Sequence, residues 1–195
     1  MSYHIYHTEA LILGTRPSGE GDRLLFCYTR ELGLIMAHAR SIREARSKLR
    51  GAIQPFAHAH IDVIQGKYGW KLISASPVSS LRHLWVHREK RRIIAEYTHL
   101  MRRLIQGEER HAHLFEDTME GLQFLDSLTE TEQLEDAELL LVARLLSRLG
   151  YWGAHEGLFP ELESISYNTS ELERIRPLRS AILVGVNEAL RSSQL

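Results

Sequence analysis

The chain has 195 residues, 44% hydrophobic and 25% charged, an ordinary globular composition with room for one generous domain or two small ones. Its single cysteine, Cys27, excludes an internal disulfide and a cysteine-rich zinc site; no run of eighteen apolar residues marks a membrane span, and "MSYHIYHTEA" has neither the basic nor the apolar region of a secretory signal, so an intracellular protein is expected. The net charge of -1 conceals a division: 18 Lys and Arg stand against 10 Asp and Glu over residues 1–110, and 6 against 15 over 111–195, which predicts a basic surface for a polyanion and a separate acidic one.

Five short segments with strand character occupy the first 75 or so residues: "IYHTEALILG", "DRLLFCYT", "GLIMAHA", "AHAHIDVIQ" and "WKLISA", separated by turn-rich pieces such as "RPSGEG" and "GKYG". Alternation places Leu24, Phe26 and Tyr28 on one side of the second segment, and Ala59, Ile61 and Val63 on one side of the fourth, opposite His58, His60 and Asp62. Five strands with short connections predict a small closed barrel, of which the oligonucleotide/oligosaccharide-binding (OB) fold is the commonest. The serines around Pro77 in "SASPVSS", 74–80, predict a linker, so an OB-fold domain is expected over 1–78 and an all-helical domain over 79–195, an α+β chain.

In the helical part, Val86, Ile93, Ile94, Tyr97, Leu100, Met101, Leu104 and Ile105 recur at helical spacing over about 86–106, opposite Arg88, Arg91, Arg92, Arg102 and Arg103. This helix is expected to have a core face and a basic face. "HLFEDTMEGLQFLDSL" predicts a second helix, and "TETEQLED" an acidic helix start capped by Thr129 or Thr131. "AELLLVARLLSRLGYWG" follows as a central apolar helix with Gly150 near its end, and the last helices run from about Ser170 with a break at Pro177.

No pattern of catalytic side chains emerges. His58, His60 and Asp62 would share a strand side, a three-ligand set without a fourth ligand, and are better read as a polar outer face. His111 and His113 diverge on a helix. Cys27, among Leu25, Phe26 and Tyr28, reads as a small core residue, while Gly19 and Gly21 in "SGEGDR" lack phosphate-loop spacing and read as turn residues beside Glu20 and Asp22. Neither metal, cofactor nor enzymatic activity is expected. Charge carries the chemistry instead: "ARSIREARSKLRG", 39–51, sets Arg40, Arg43, Arg46, Lys48 and Arg50 beside one acid, Glu44, with Ser41 and Ser47 as further donors to phosphate. Together with Arg16, Arg23, Lys67 and Lys71 on a barrel, this run predicts backbone contacts to single-stranded nucleic acid, with Tyr68 and Trp70 as candidate stacking residues. Leu49 and Phe56 are assigned to packing.

Residues 11–56 resemble the amino-terminal barrel of the bacterial recombination mediator family RecO. The resemblance is carried by Arg16 and Pro17, Glu20 and Asp22, Thr29, Glu31 and Gly33, Ala39 and Arg40, and Ser47, Leu49, Gly51, Gln54, Pro55 and Phe56, and continues more loosely through "LLSRLGY" and "NEALRSSQL". It implies an OB-fold followed by a helical domain, binding of single- and double-stranded DNA, strand annealing, and cooperation with RecR and the single-stranded DNA-binding protein SSB. It also implies that the DNA contacts are the basic residues of the matching turns and of the 40–50 stretch. Many members carry a four-cysteine zinc module where this chain has "FPELESISYNTS", which contains no cysteine, so zinc is not expected. The basic helix face, Arg88, Arg91, Arg92, Arg102 and Arg103, is expected either to dock the acidic SSB tail or to extend the DNA track. The competing expectation is an OB-fold protein-interaction adaptor.

Overall fold

The computed structural model describes residues 4–40, 52–79, 81–152, 162–164 and 166–193. Five strands, β1 (Ile5–Pro17), β2 (Arg23–Thr29), β3 (Gly33–Ala39), β4 (His58–Gly66) and β5 (Gly69–Ser79), close into a barrel in the order β1-β2-β3-β5-β4, with β4 pairing back onto β1. Every pair is antiparallel except β3 with β5, the short parallel seam of an OB-fold, formed by Ala37 opposite Trp70 and His38 opposite Lys71. The interior follows from strand alternation: Ala10 and Ile12, Leu25 and Cys27, Ile35, Ala37 and Ala39, Ala59, Ile61 and Val63, and Trp70 and Leu72 form one buried cluster. Ala52 and Ile53 join this cluster. Phe56 sits at φ +67, uncommon for a bulky residue, where its N–H donates to the Ile12 carbonyl (2.6 Å) and the Ile12 N–H donates to the Ala57 carbonyl (2.9 Å).

β5 runs on to Ser79 through the stretch read as a linker. Pro77 lacks an N–H, yet it is tolerated because that half of β5 pairs with β4 alone among the described residues, and the register shifts between His58 and Ala59 absorb the irregularity.

Six helices follow among the described residues: α1 (Arg82–Val86), α2 (Arg88–Leu104), α3 (Ala112–Ser127), α4 (Thr131–Arg148), α5 (Thr169–Ile175) and α6 (Arg179–Ser192), with a 3-10 turn at Arg176–Leu178 that accommodates Pro177. The single helix expected over 86–106 is thus divided at His87, and Val86, expected on its core stripe, is 68% exposed at the end of α1. Lys90 is instead buried, its Nζ donating to the Asp126 carbonyl (2.7 Å), a use of a charged residue that hydropathy does not signal. The cap of α4 is Glu130 without a side-chain bond, rather than Thr129 or Thr131, whereas Asn168 caps α5 through Oδ1, which accepts from the Glu171 N–H (2.9 Å).

The chain divides into two compact units: residues 1–81 with 105–115, and 82–104 with 116–195. In the first, the segment 105–115 lies along the barrel. The Leu34 N–H donates to the Gly107 carbonyl (3.2 Å), the Trp70 indole N–H to the Glu108 carboxylate (2.7 Å) and the Tyr28 hydroxyl to the His111 carbonyl (3.3 Å). Gly33, at φ +66, has no room for a Cβ, which would fall 2.3 Å from the Glu109 carbonyl oxygen. In the second unit α4 is central and packs against α2, α5 and α6. Its fully buried Arg144 stacks on Tyr167 (4.2 Å) and donates to the Ser166 carbonyl (3.0 Å), while the Tyr167 hydroxyl donates to Asp117 (3.1 Å). Burial pushes the Asp117 carboxyl up, against the opposing pull of Arg144 and Arg148.

Candidate nucleic-acid interface

The alternation that fills the barrel turns the opposite parity outward. Arg16 on β1 pairs with Leu24 on β2, Leu24 with His38 on β3, and His38 with Lys71 on β5, so Arg16, His38 and Lys71 stand on one transverse row that is interrupted at β2 by the buried Leu24. At about 4.8 Å per strand the row spans about 14 Å, a length over which a nucleic-acid strand carries several charges. The neighbouring row sets Phe26 beside Met36, which is 53% exposed, and the Arg16 guanidinium lies 6.0 Å from the Phe26 ring centroid. Arg40 follows β3 and is exposed, and Ile73, at the β5 irregularity, is 49% exposed. At the β4–β5 turn Tyr68 is 81% exposed with Lys67 Nζ 5.5 Å from its ring centroid, an aromatic face already paired with a cation.

Four sequence-predicted contacts, Arg43, Arg46, Lys48 and Arg50, lie outside the described residues, as do Ser41, Ser47 and Leu49. Arg16, Arg40 and Lys71 fall on one outward face, with Lys67 at the turn that leads into β5. Arg23 is half-buried at the start of β2, where Nη1 donates to Thr15 Oγ1 (3.0 Å). Trp70 is not on the face: it shares the inward parity of Leu72, is 5% exposed, and packs edge-on against Tyr6. The exposed Met36, His38 and Ile73 were missed in the sequence, where an apolar strand residue reads as core and only the register shows which parity faces out.

The β1–β4 sector has the opposite character. A cleft of about 470 Å³ there is lined by His7, Glu9, Arg30, Glu31, His60 and Asp62 among others. Burial alone would raise the Glu9 carboxyl, but Arg30 (2.9 Å) and His58 (3.3 Å) outweigh it and hold it low. A hydrogen bond from Ser74 and the His7 imidazole (2.6 Å) hold Asp62 below the usual range. His58 is buried between Glu9 and Ser79, and desolvation keeps its imidazole low. His58, His60 and Asp62 do share one side of β4, but His58 turns to Ser79 and Glu9, and Asp62 to Ser74 and His7. Among the described residues no three His, Cys, Asp or Glu side chains are placed to hold a metal ion. Cys27 is fully buried, its thiol pushed up to about 12 by desolvation, so it is unsuited to attack as a thiolate.

On the helical unit Arg88, Arg91, Arg102 and Arg103 are exposed along α2. Arg92 is committed: Glu89 (3.3 Å), Glu96 (2.9 Å) and Glu138 (2.7 Å) surround its guanidinium.

The family model described as "Recombination protein O N terminal" matches residues 1–80, which contain the barrel strands and the basic row. The DNA repair protein RecO of Desulfitobacterium hafniense is 29% identical over 147 residues, 75% of this chain and 52% of that protein. The DNA repair protein RecO of Myxococcus xanthus is 28% identical over 165 residues, 83% of this chain and 62% of that protein, and that of Heliobacterium modesticaldum is 39% identical over 80 residues, 41% of this chain and 29% of that protein. The match to the first of these spans about half of its length. Residues 1–80 thus match the amino-terminal domain of the RecO family, and the likeness to DNA repair proteins RecO extends over 75% to 83% of the chain.

Proposed function

We propose that the chain is a non-enzymatic DNA-binding recombination mediator that works in DNA repair in the cytoplasm. It holds single- and double-stranded DNA by backbone phosphates, promotes annealing, and acts with SSB and RecR in recombinase loading. The observation that carries this reading is the outward row Arg16, His38 and Lys71, flanked by Arg40 and Lys67, on an OB-fold barrel within a RecO amino-terminal domain. Arg16, Arg40 and Lys71 bring their phosphate contacts together on one face, and summed backbone contacts give affinity without sequence preference. Arg43, Arg46, Lys48 and Arg50 belong to the same proposed contact set. The relatives named above are DNA repair proteins, in keeping with this role, and among the described residues no helix is long and apolar enough to cross a membrane.

The second reading, an OB-fold protein-interaction adaptor, draws on the acid and histidine cleft of the β1–β4 sector. Fluorescence anisotropy with single- and double-stranded oligonucleotides at low salt separates the two. The mediator reading predicts binding of both, indifferent to sequence and weakened by salt; an unmodified protein that binds neither leaves the adaptor reading standing.

A further inference from the structure

Helix α2 is a basic rod on an acidic unit. Residues 88–104 hold 6 Lys and Arg against 2 Glu, whereas residues 116–195 of the same unit hold 6 against 15. At about 100° per residue the buried Ile93, Ile94, Tyr97, Met101 and Leu104 form one face of α2, and the opposite arc carries Arg88, Arg91, Ala95, His99 and Arg103, all exposed. Arg92 lies on the acidic edge of this arc and is neutralised by Glu89, Glu96 and Glu138. Arg102 is exposed on the arc but already has a neighbour of its own. Among the described residues no carboxylate pairs with Arg88, Arg91 or Arg103, and the bond from Arg91 Nη1 to the Trp85 carbonyl (3.5 Å) leaves the charge of that guanidinium in place. From Arg88 to Arg103 the arc is about 22 Å long, over which one strand of a duplex carries about six phosphates.

The side chains on the arc select its partner. A docked peptide needs an apolar anchor, and the largest apolar side chain there is Ala95. A single strand is held by stacking of its bases, and Tyr97, the one Phe, Tyr or Trp of α2, is only 2% exposed. What remains is positive charge and N–H donors on a rigid helix, which suffices for a backbone whose bases are already stacked on one another. The acids of the rest of the unit repel a polyanion and steer it to α2. Resting on the DNA-binding reading above, we propose that α2 is a duplex-binding rail, in which Arg88, Arg91 and Arg103 pair with backbone phosphates and His99 donates a ring N–H to the same backbone. The barrel row then serves the single strand and α2 the duplex, so the two kinds of DNA in that reading fall to different elements.

The test is anisotropy of the full chain with two labelled probes, a blunt duplex and an oligothymidylate, each titrated at several salt concentrations. R88E/R91E/R103E, which alters exposed positions only, should bind the duplex roughly tenfold or more weakly and show a salt slope shallower by about 2.7, the loss of three phosphate contacts to a duplex. Its affinity for the oligothymidylate should stay within about twofold of the unmodified chain. R88K/R91K/R103K keeps the charges and should retain most of the duplex affinity, which separates charge from any change in folding. Full duplex affinity and slope in the glutamate variant overturn the proposal, and so does an equal loss on both probes. Binding of a poly-glutamate peptide that the glutamate variant loses, with the duplex unaffected, overturns it in favour of an acidic protein segment. An unmodified chain that binds the oligothymidylate but not the duplex overturns the rail alone, whereas one that binds neither overturns the DNA reading itself.

Discussion

Individual side chains in the barrel make its stability depend on pH in two windows. Desolvation keeps the buried His58 below the usual imidazole range, so the unfolded chain takes up that proton first; stability is intact above about pH 6.5 and falls as the pH drops below it. Glu9 and Asp62 are held below the usual carboxylate range, and the stability they contribute is present above about pH 4 and lost as the pH falls through their lowered values. Thermal melting across this range should show both losses, and H58Q should flatten the first while leaving the Asp62 part of the second; a melting temperature unchanged between about pH 7 and pH 5 contradicts the assignment to His58. Charge was legible residue by residue in the sequence, and the structure leaves Arg16 and Arg40 exposed and Lys71 half-buried. What the sequence did not show was commitment. Arg92 looks like its neighbours until Glu138, 46 residues away, closes on it, and Trp70 looks like a stacking residue until the alternation it shares with Leu72 is set against the closed barrel. The pattern "WKL" did contain that second answer, because Lys71 cannot face inward beside Leu72 without burying a charge.

At the scale of elements, the segment 105–115 braces the first unit and helix α4 is central to the second. G33A sets a Cβ against the Glu109 carbonyl oxygen at a left-handed backbone position, and should destabilise the first unit by about 2 kcal/mol or more, read from the urea midpoint; unchanged stability would mean that the segment does not lie along the barrel. R144M leaves Asp117 and Glu171 buried without their central cation, and should cost about 3–5 kcal/mol in the same measurement, whereas a neutral result would show that the cluster has no need of Arg144. The five strands were legible because period-two alternation and turn residues bound each of them. Their lengths were less so: β5 passes through Ser and Pro that punctuate most chains, since its partner and not its composition sustains it there. The division of the expected 86–106 helix at His87 leaves no mark in the periodicity, and the docking of residues 105–115 onto the barrel is a contact between segments some 35 to 80 residues apart, which local pattern does not encode.

For the whole molecule, the division of charge along the chain is the feature from which the functional account grows. The basic part, residues 1–110, contains the barrel row and helices α1 and α2, and the acidic part contains α3 to α6. Such a distribution favours a polyanion on one region and leaves the other repelled by it, and the account predicts affinity governed by counterion release. The most direct measurement is the dependence of single-strand affinity on salt, compared between the unmodified chain and R16E/R40E/K71E. Phosphate binding by the barrel row predicts a steep loss of affinity with rising salt, and a slope shallower by about 2 in the triple variant, equivalent to three phosphate contacts. Equal slopes and equal affinities in the two proteins would contradict it.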